Sequence, residues 1–293
     1  GEINNPDFKA KSNLFVEDLK SKNRSEATVI AYAKDIEQLL NFFSKDGLSS
    51  LDTIQAEDLE RYKQNLQDNN YTPKSISRKI NSTRTFFRYL LENSYIKDNV
   101  SEKLAHPRFE TKPPRVLTEM EYRALRDVSR VDVRLYSIVE ILLQTGIRIG
   151  ELAGLTVDDI RKSKDNKIDF LYIRATVVIH LGNTFEKSAK KAIDEYLVIR
   201  PETEEDTIFV TKNGRPLLVR NIRTAIDKAF EKAGIKNAKV NDLRNTFIAH
   251  HLSNGVSLVT VSKLVGHKRL STTEKYLNLV KMQSEEEKSL KDL

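Results

Sequence analysis

The stretch LAHPRFETKPPR, from Leu104 to Arg115, constrains this chain more than any other. It holds Pro107, Pro113 and Pro114 and has no apolar period. Proline fixes φ and lacks an amide donor, so such a run neither continues a helix nor sits inside a sheet, and paired prolines stiffen an extended crossing. A single core cannot be built through it. Two bodies are therefore expected, residues 1–104 and 117–293, joined by a linker over 105–116.

The first body reads as helices alone. After Ser25, a capping residue, Val29, Tyr32, Ile36, Leu39, Leu40 and Phe43 recur at the spacing of one buried helix face, and Gly47 follows as a stop. AEDLERYKQNLQDNN gives a shorter helix. Thr72 caps a third, with Pro73 in the tolerated first position and Ile76, Ile80, Thr83, Phe87, Leu90 and Leu91 as its stripe. A further helix is expected around Asn13–Leu19. The second body opens on the capping box Thr118-x-x-Glu121, followed by an apolar helix over Val133–Gln144. LTVDDI and IDFLYIRATVVIHL have strand character, with KSKDNK as a turn, before helices return over Thr184–Ile199 and Val219–Ala233. The class is mainly α with a small β-sheet, in two domains.

Composition narrows the chemistry. The absence of cysteine excludes disulfides, thiolate metal sites and a cysteine nucleophile. No apolar run approaches the ~20 residues that span a bilayer, so a cytoplasmic location and no membrane partner are expected. The formal charge of +7 favours an anionic partner.

Three strings in the second body matter together: TGIRIGELAGL with Arg148 and Glu151, NDLRNTFIAHHLSNG with Arg244, and LVGHKRLSTTEKY with His267 nine residues before Tyr276. Each alone is ordinary. As a set they suit phosphodiester chemistry, because a tyrosine attacks phosphorus once its proton is removed and the pentacoordinate phosphate is neutralised. Two guanidinium forks match phosphate oxygens, and an imidazole supplies another donor. Such chemistry calls for no metal or cofactor. Ser271-x-x-Glu274 reads as a capping box that places Tyr276 in the first turns of a short helix.

In order and spacing, TGIRIGEL, DLRNTFIAHHLSNGV and LVGHKRLSTTEKY resemble the signature boxes of the tyrosine recombinase (phage integrase) family, in its compact Xer-like form. The resemblance covers nearly the whole chain. It implies a two-domain DNA clamp, with a helical core-binding domain ahead of the linker and a catalytic domain after it. It implies that Arg148 and Arg244 clamp the scissile phosphate, that His267 hydrogen-bonds it, and that Tyr276 attacks to leave a 3′-phosphotyrosine and a free 5′-hydroxyl. Glu151 would orient Arg148. A homo-tetramer on two double-stranded DNA sites, or one shared with a second recombinase, would pass through a Holliday junction.

The chain departs from the family pattern twice. Asn241 occupies the usual His or Lys position and can donate to phosphate without shuttling a proton. The lysine that protonates the leaving oxygen normally sits on a glycine-lysine hairpin, whereas here the nearest cations are Arg174, Lys164 and Lys167. These departures keep open a DNA-binding accessory factor with weakened catalysis, and the shared chemistry keeps open a type IB topoisomerase-like nicking enzyme. For DNA contact, the acid-free run from Lys74 to Arg88 offers Lys74, Arg78, Lys79, Arg84 and Arg88, with Asn81 on the face of Lys74 and Arg78. TKNGRPLLVRNIR offers Lys212, Arg215, Arg220 and Arg223. The tail, with Leu277, Val280, Leu290 and Leu293, packs on its own domain or docks into a neighbouring protomer.

Overall fold

The computed structural model describes residues 2–162, 168–173, 177–180 and 187–291, and the chain divides into two compact units, Gly1–Thr111 and Lys112–Leu293.

The first unit holds α1 (Pro6–Ser21), α2 (Glu26–Lys45), α3 (Ala56–Asp68) and α4 (Pro73–Glu92). Helix α1 starts well before Asn13. Asn5 Oδ1 accepts from the amides of Asp7 (2.9 Å) and Phe8 (3.1 Å), and Pro6 fills the first helical position. Ser25 and Thr72 cap α2 and α4 through the Thr28 and Ser75 amides, each at 3.2 Å. The apolar stripes meet in a core that includes Phe8, Phe15, Ile36, Phe43, Tyr62 and Phe86. Burying each such side chain contributes roughly 1.5–3 kcal/mol.

Inside that core lies a polar cluster. Asp35 of α2, 3% exposed, accepts from both Nη atoms of Arg78, from Lys79 Nζ (3.0 Å) and from Ser82 Oγ (2.7 Å), all on α4. A buried carboxylate demands such partners. They fix the rotation of α4.

The second unit is built around α6 (Val133–Thr145), preceded by α5 (Glu119–Ser129). The Thr118–Glu121 capping box is present, with Thr118 N donating to Glu121 Oε2 at 2.9 Å. Residues 137–145 of α6 are all buried, so this part of the helix is enclosed on every side. Its one charge there, Glu140, accepts from Arg126 Nε (2.6 Å) and Ser188 Oγ (2.8 Å). The short helix α7 (Ile149–Ala153) follows. Then come β1 (Ile160–Lys162), β2 (Ile168–Ile173) and β3 (Val177–His180), an antiparallel sheet in the order β1-β2-β3. β2 pairs with β3 from Phe170↔His180 to Ile173↔Val177.

LTVDDI is not a strand. Thr156 only bridges Thr207, and Val157–Asp159 form a 3-10 turn fixed by the Asp159 carboxylate on the Thr156 amide at 2.7 Å. Asp is a poor strand former and a good turn former, which overrides the apolar alternation. Arg174, Lys164 and Lys167 lie outside the described residues.

The unit closes with α8 (Lys187–Ile199), α9 (Val219–Lys232), α10 (Val240–Ser253), α11 (Leu258–Val265) and α12 (Leu270–Lys291). Helix α12 is long, not short. It begins at Leu270, so Ser271 is a helical residue and not its cap. A separate apolar cluster ties α10, α11 and α12 through Phe247, Ile248, Leu252, Val261, Val265 and Tyr276. Leu277 and Val280 pack against it, within their own unit, while the Leu290 side chain and Leu293 lie outside the described residues.

Candidate active site

Helix α6 stops at Gly146, whose φ of +64° is left-handed and whose amide returns to Leu142 O at 3.1 Å. The turn buries Ile147 and makes Arg148 the residue that caps α7. There the Glu151 carboxylate accepts the Arg148 amide at 2.9 Å and lies 3.4 Å from Arg148 Nη1. Glu151 thus holds both ends of Arg148, leaving its guanidinium half-exposed.

Arg244 occupies the opposite environment. On α10 it is 5% exposed, donating from Nη1 to Gly146 O (2.6 Å) and from Nη2 to Val265 O (2.7 Å). Those carbonyls lie at the C-terminal ends of α6 and α11, where a cation is favoured by the unsatisfied backbone acceptors. Arg148, Arg244 and the exposed Asn241 line one cleft of about 480 Å³, together with Arg223, Asp227 and Lys239.

Beyond Val265, Gly266 adopts a left-handed φ of +70°, and His267 follows with its amide on Ser262 O at 3.0 Å. His267 Nδ1 pairs with the buried Thr273 hydroxyl at 2.7 Å, and its ring stacks on Tyr276 with centroids 6.2 Å apart. Burial, then Arg244 and Arg148, push the imidazole pKa down to about 4, so the ring is neutral at pH 7. Tyr276 is 9% exposed and donates from its hydroxyl to Asn245 Oδ1 at 2.7 Å. Burial pushes its phenol above the ordinary value, Arg244 pulls it down and Asp242 pushes it up.

The residues singled out in the sequence thus gather, with Arg244 as hub. Asn245, Thr273 and Lys239 had not been singled out. For Asn245 and Thr273 a faint signal existed, since each is a polar side chain at a position the helical pattern buries.

The basic runs divide. Lys212, Arg215, Arg220 and Arg223 are all exposed, and Arg223 borders the cleft. In the first unit Lys74, Arg78, Asn81 and Arg88 are exposed along α4. Lys79 is a correction: it is turned inward, 7% exposed, because Asp35 and Gln38 hold its ammonium. Arg84 is half-buried, donating to Leu104 O at 2.6 Å, with Nη1 3.2 Å from His106 Nε2.

The phage integrase family pattern matches residues 115–282, and the N-terminal SAM-like domain pattern of phage integrases matches residues 13–94. The chain belongs to the phage integrase family. The tyrosine recombinase XerC of Oceanobacillus iheyensis is 30% identical over 280 residues, covering 91% of this chain and 90% of that protein. Among solved structures, the XerA recombinase is 25% identical at a TM-score of 0.51, covering 92% of this chain and 93% of that one. The XerH site-specific recombinase, captured on palindromic difH substrate after cleavage, shares the fold at a TM-score of 0.73 and 18% identity, covering 94% of this chain and 82% of that one. This integrase-family chain is accordingly a tyrosine site-specific recombinase. No helix among its described residues is long and apolar enough to cross a membrane.

Proposed function

We propose that the recombinase cleaves and rejoins double-stranded DNA through Tyr276, with Arg148, Arg244, His267 and Asn241 as donors to the scissile phosphate. The reading rests on one observation. Arg244 joins the ends of α6 and α11, so the cleft carrying Arg148 and Asn241 and the loop carrying His267 are fixed to one side chain.

In the reaction the Tyr276 oxygen bonds to phosphorus and the bond to the 5′-oxygen breaks, the phenol proton passing to water and water returning a proton to the departing 5′-oxygen. Charge on the phosphate is met by the two guanidiniums. His267 suits a donor role, not a base. With its ring neutral and Nδ1 engaged by Thr273, Nε2 is left for a phosphate oxygen. Asn241 donates without proton exchange. The phosphotyrosine preserves the energy of the broken bond, so rejoining needs no cofactor.

Lys74, Arg78, Asn81 and Arg88 of α4, with the exposed Lys212, Arg215 and Arg220 and with Arg223 at the border of the cleft, supply the contacts to duplex DNA, and four protomers on two sites complete the exchange in the cytoplasm. Among the neighbours by fold is a lambda integrase tetramer bound to a Holliday junction. The test is a nicked suicide duplex bearing the target site, itself selected from random DNA by binding. A covalent adduct is expected with the unaltered chain and none with Tyr276→Phe. An adduct that persists in Tyr276→Phe overturns the assignment, no adduct at all favours the accessory factor, and relaxation of site-free plasmids favours the topoisomerase.

A further inference from the structure

The Tyr276 hydroxyl is engaged by a side chain of its own unit. Its hydroxyl meets Asn245 Oδ1 at 2.7 Å, and the Asn245 side chain has little freedom to turn away. Asn245 is 5% exposed, and its Nδ2 donates to Arg115 O (3.1 Å) and to Asp242 Oδ1 (3.3 Å). With both acceptors on the nitrogen side, the amide oxygen faces the phenol and the phenol must donate. An amide oxygen cannot take up that proton. A bond that needs the phenol's hydrogen stabilises the neutral form, which is the form that does not attack.

Three further facts point the same way. Tyr276 does not line the cleft that Arg148, Asn241 and Arg244 share. The charges that act on its hydroxyl are Arg244 and Asp242, whereas His267 beside it feels both arginines. One anchor of the Asn245 amide is the backbone at Arg115, at the end of the proline-rich segment, so the nucleophile's partner is tied to the incoming chain as well as to α10.

We propose that Asn245 is a positioning residue that holds Tyr276 protonated and withdrawn, so that breaking the Tyr276–Asn245 hydrogen bond is a required step before attack on the phosphate. The proposal rests on Tyr276 being the nucleophile. It assigns Asn245 a restraining role, the reverse of an aligning one. The two differ in sign: loss of a restraint speeds the first cleavage, and loss of an alignment slows it.

The experiment places difluorotyrosine, whose phenol ionises near neutral pH, at position 276 of the full chain and follows it by fluorine NMR without DNA. Asn245→Ala is expected to lower the phenol pKa by about one unit, the worth of one hydrogen bond to the neutral form. With tyrosine restored, single-turnover adduct formation on saturating suicide duplex is expected to rise about fivefold. An unchanged pKa, a slower adduct, or a lowered pKa with no gain in rate each overturns the proposal. Asn245→Ser serves the same two measurements where the alanine variant melts below assay temperature. The fluorine titration needs no DNA, so it still reports on Asn245 if no adduct forms, which is instead the failure of the recombinase reading.

Discussion

Replacing Gly146 by alanine tests how tightly the active site is bound to the core. Two costs add. The residue sits at φ +64°, a conformation that costs a residue with a side chain about 1–2 kcal/mol. A Cβ built there would also lie 2.3 Å from Phe247 Cδ1 and 2.9 Å from Cγ, deep inside contact distance and against a ring that is 6% exposed. Forcing a buried ring aside costs about 1–3 kcal/mol. Together the costs come to about 2–5 kcal/mol, and a unit of this size loses about 2–4 °C per kcal/mol, so its melting transition should fall by about 4–20 °C. Gly255 is the control. Its φ of +83° carries the same conformational cost, but a Cβ there meets nothing within 4 Å, so Gly255→Ala should lose only about 2–8 °C. Differential scanning calorimetry of the two variants separates the ring contact from the backbone term. Phe247→Leu in the Gly146→Ala background should recover part of the loss. Equal melting of the two glycine variants would refute the reasoning, as would no effect of Phe247→Leu. Because Phe247 and Arg244 share α10 and Gly146 O accepts from Arg244, adduct formation should fall in Gly146→Ala even below its melting point.

Other substitutions discriminate further. Asp35→Ala leaves the Lys79 ammonium buried without its carboxylate, so urea unfolding should show the first unit destabilised by about 3–5 kcal/mol; a loss below about 1 kcal/mol would contradict the cluster's role. Arg148→Ala should slow adduct formation about 100- to 1000-fold while leaving the melting temperature almost unmoved, since its pair with Glu151 is exposed. The His267 pKa is depressed to about 4, so the unfolded chain takes up that proton first and stability should decline as pH falls from about 6.5 towards 4. Melting curves of His267→Gln over that window should be flatter but not flat, because burial also lowers His106, His250 and His251; an unchanged slope would count against the depressed value.

The order of the helices and the proline-rich break were legible, and a candidate site could be proposed, because each rests on local chemistry: 3,4 spacing, capping side chains, prolines. What the chain did not disclose depends on partners distant in sequence. Lys79 reads as one more cation in a basic run, and only Asp35, forty-four residues earlier, turns it inward. Ser271 and Glu274 satisfy a capping pattern, yet α12 starts one residue before Ser271 because Arg269 O accepts the Thr272 amide. Phe8 lies beyond the apolar stripe around Asn13, and the helix opens earlier than that stripe, at Asn5–Pro6, both common helix openers. Asn245 could not be matched to Tyr276 from spacing, since thirty-one residues separate them.

The double anchorage of Arg244 bears on how this protein tolerates change. A side chain that fastens two helix ends is policed by folding as well as by reaction rate, so replacements at this position are expected to cost stability as well as activity. Arg148, fastened among the described residues to its own turn through Glu151, bridges no two helix ends. Lineages that abandon strand exchange while still needing a folded DNA-binding scaffold should therefore lose Arg148 first and retain Arg244 longest, a relic arginine in a silent enzyme.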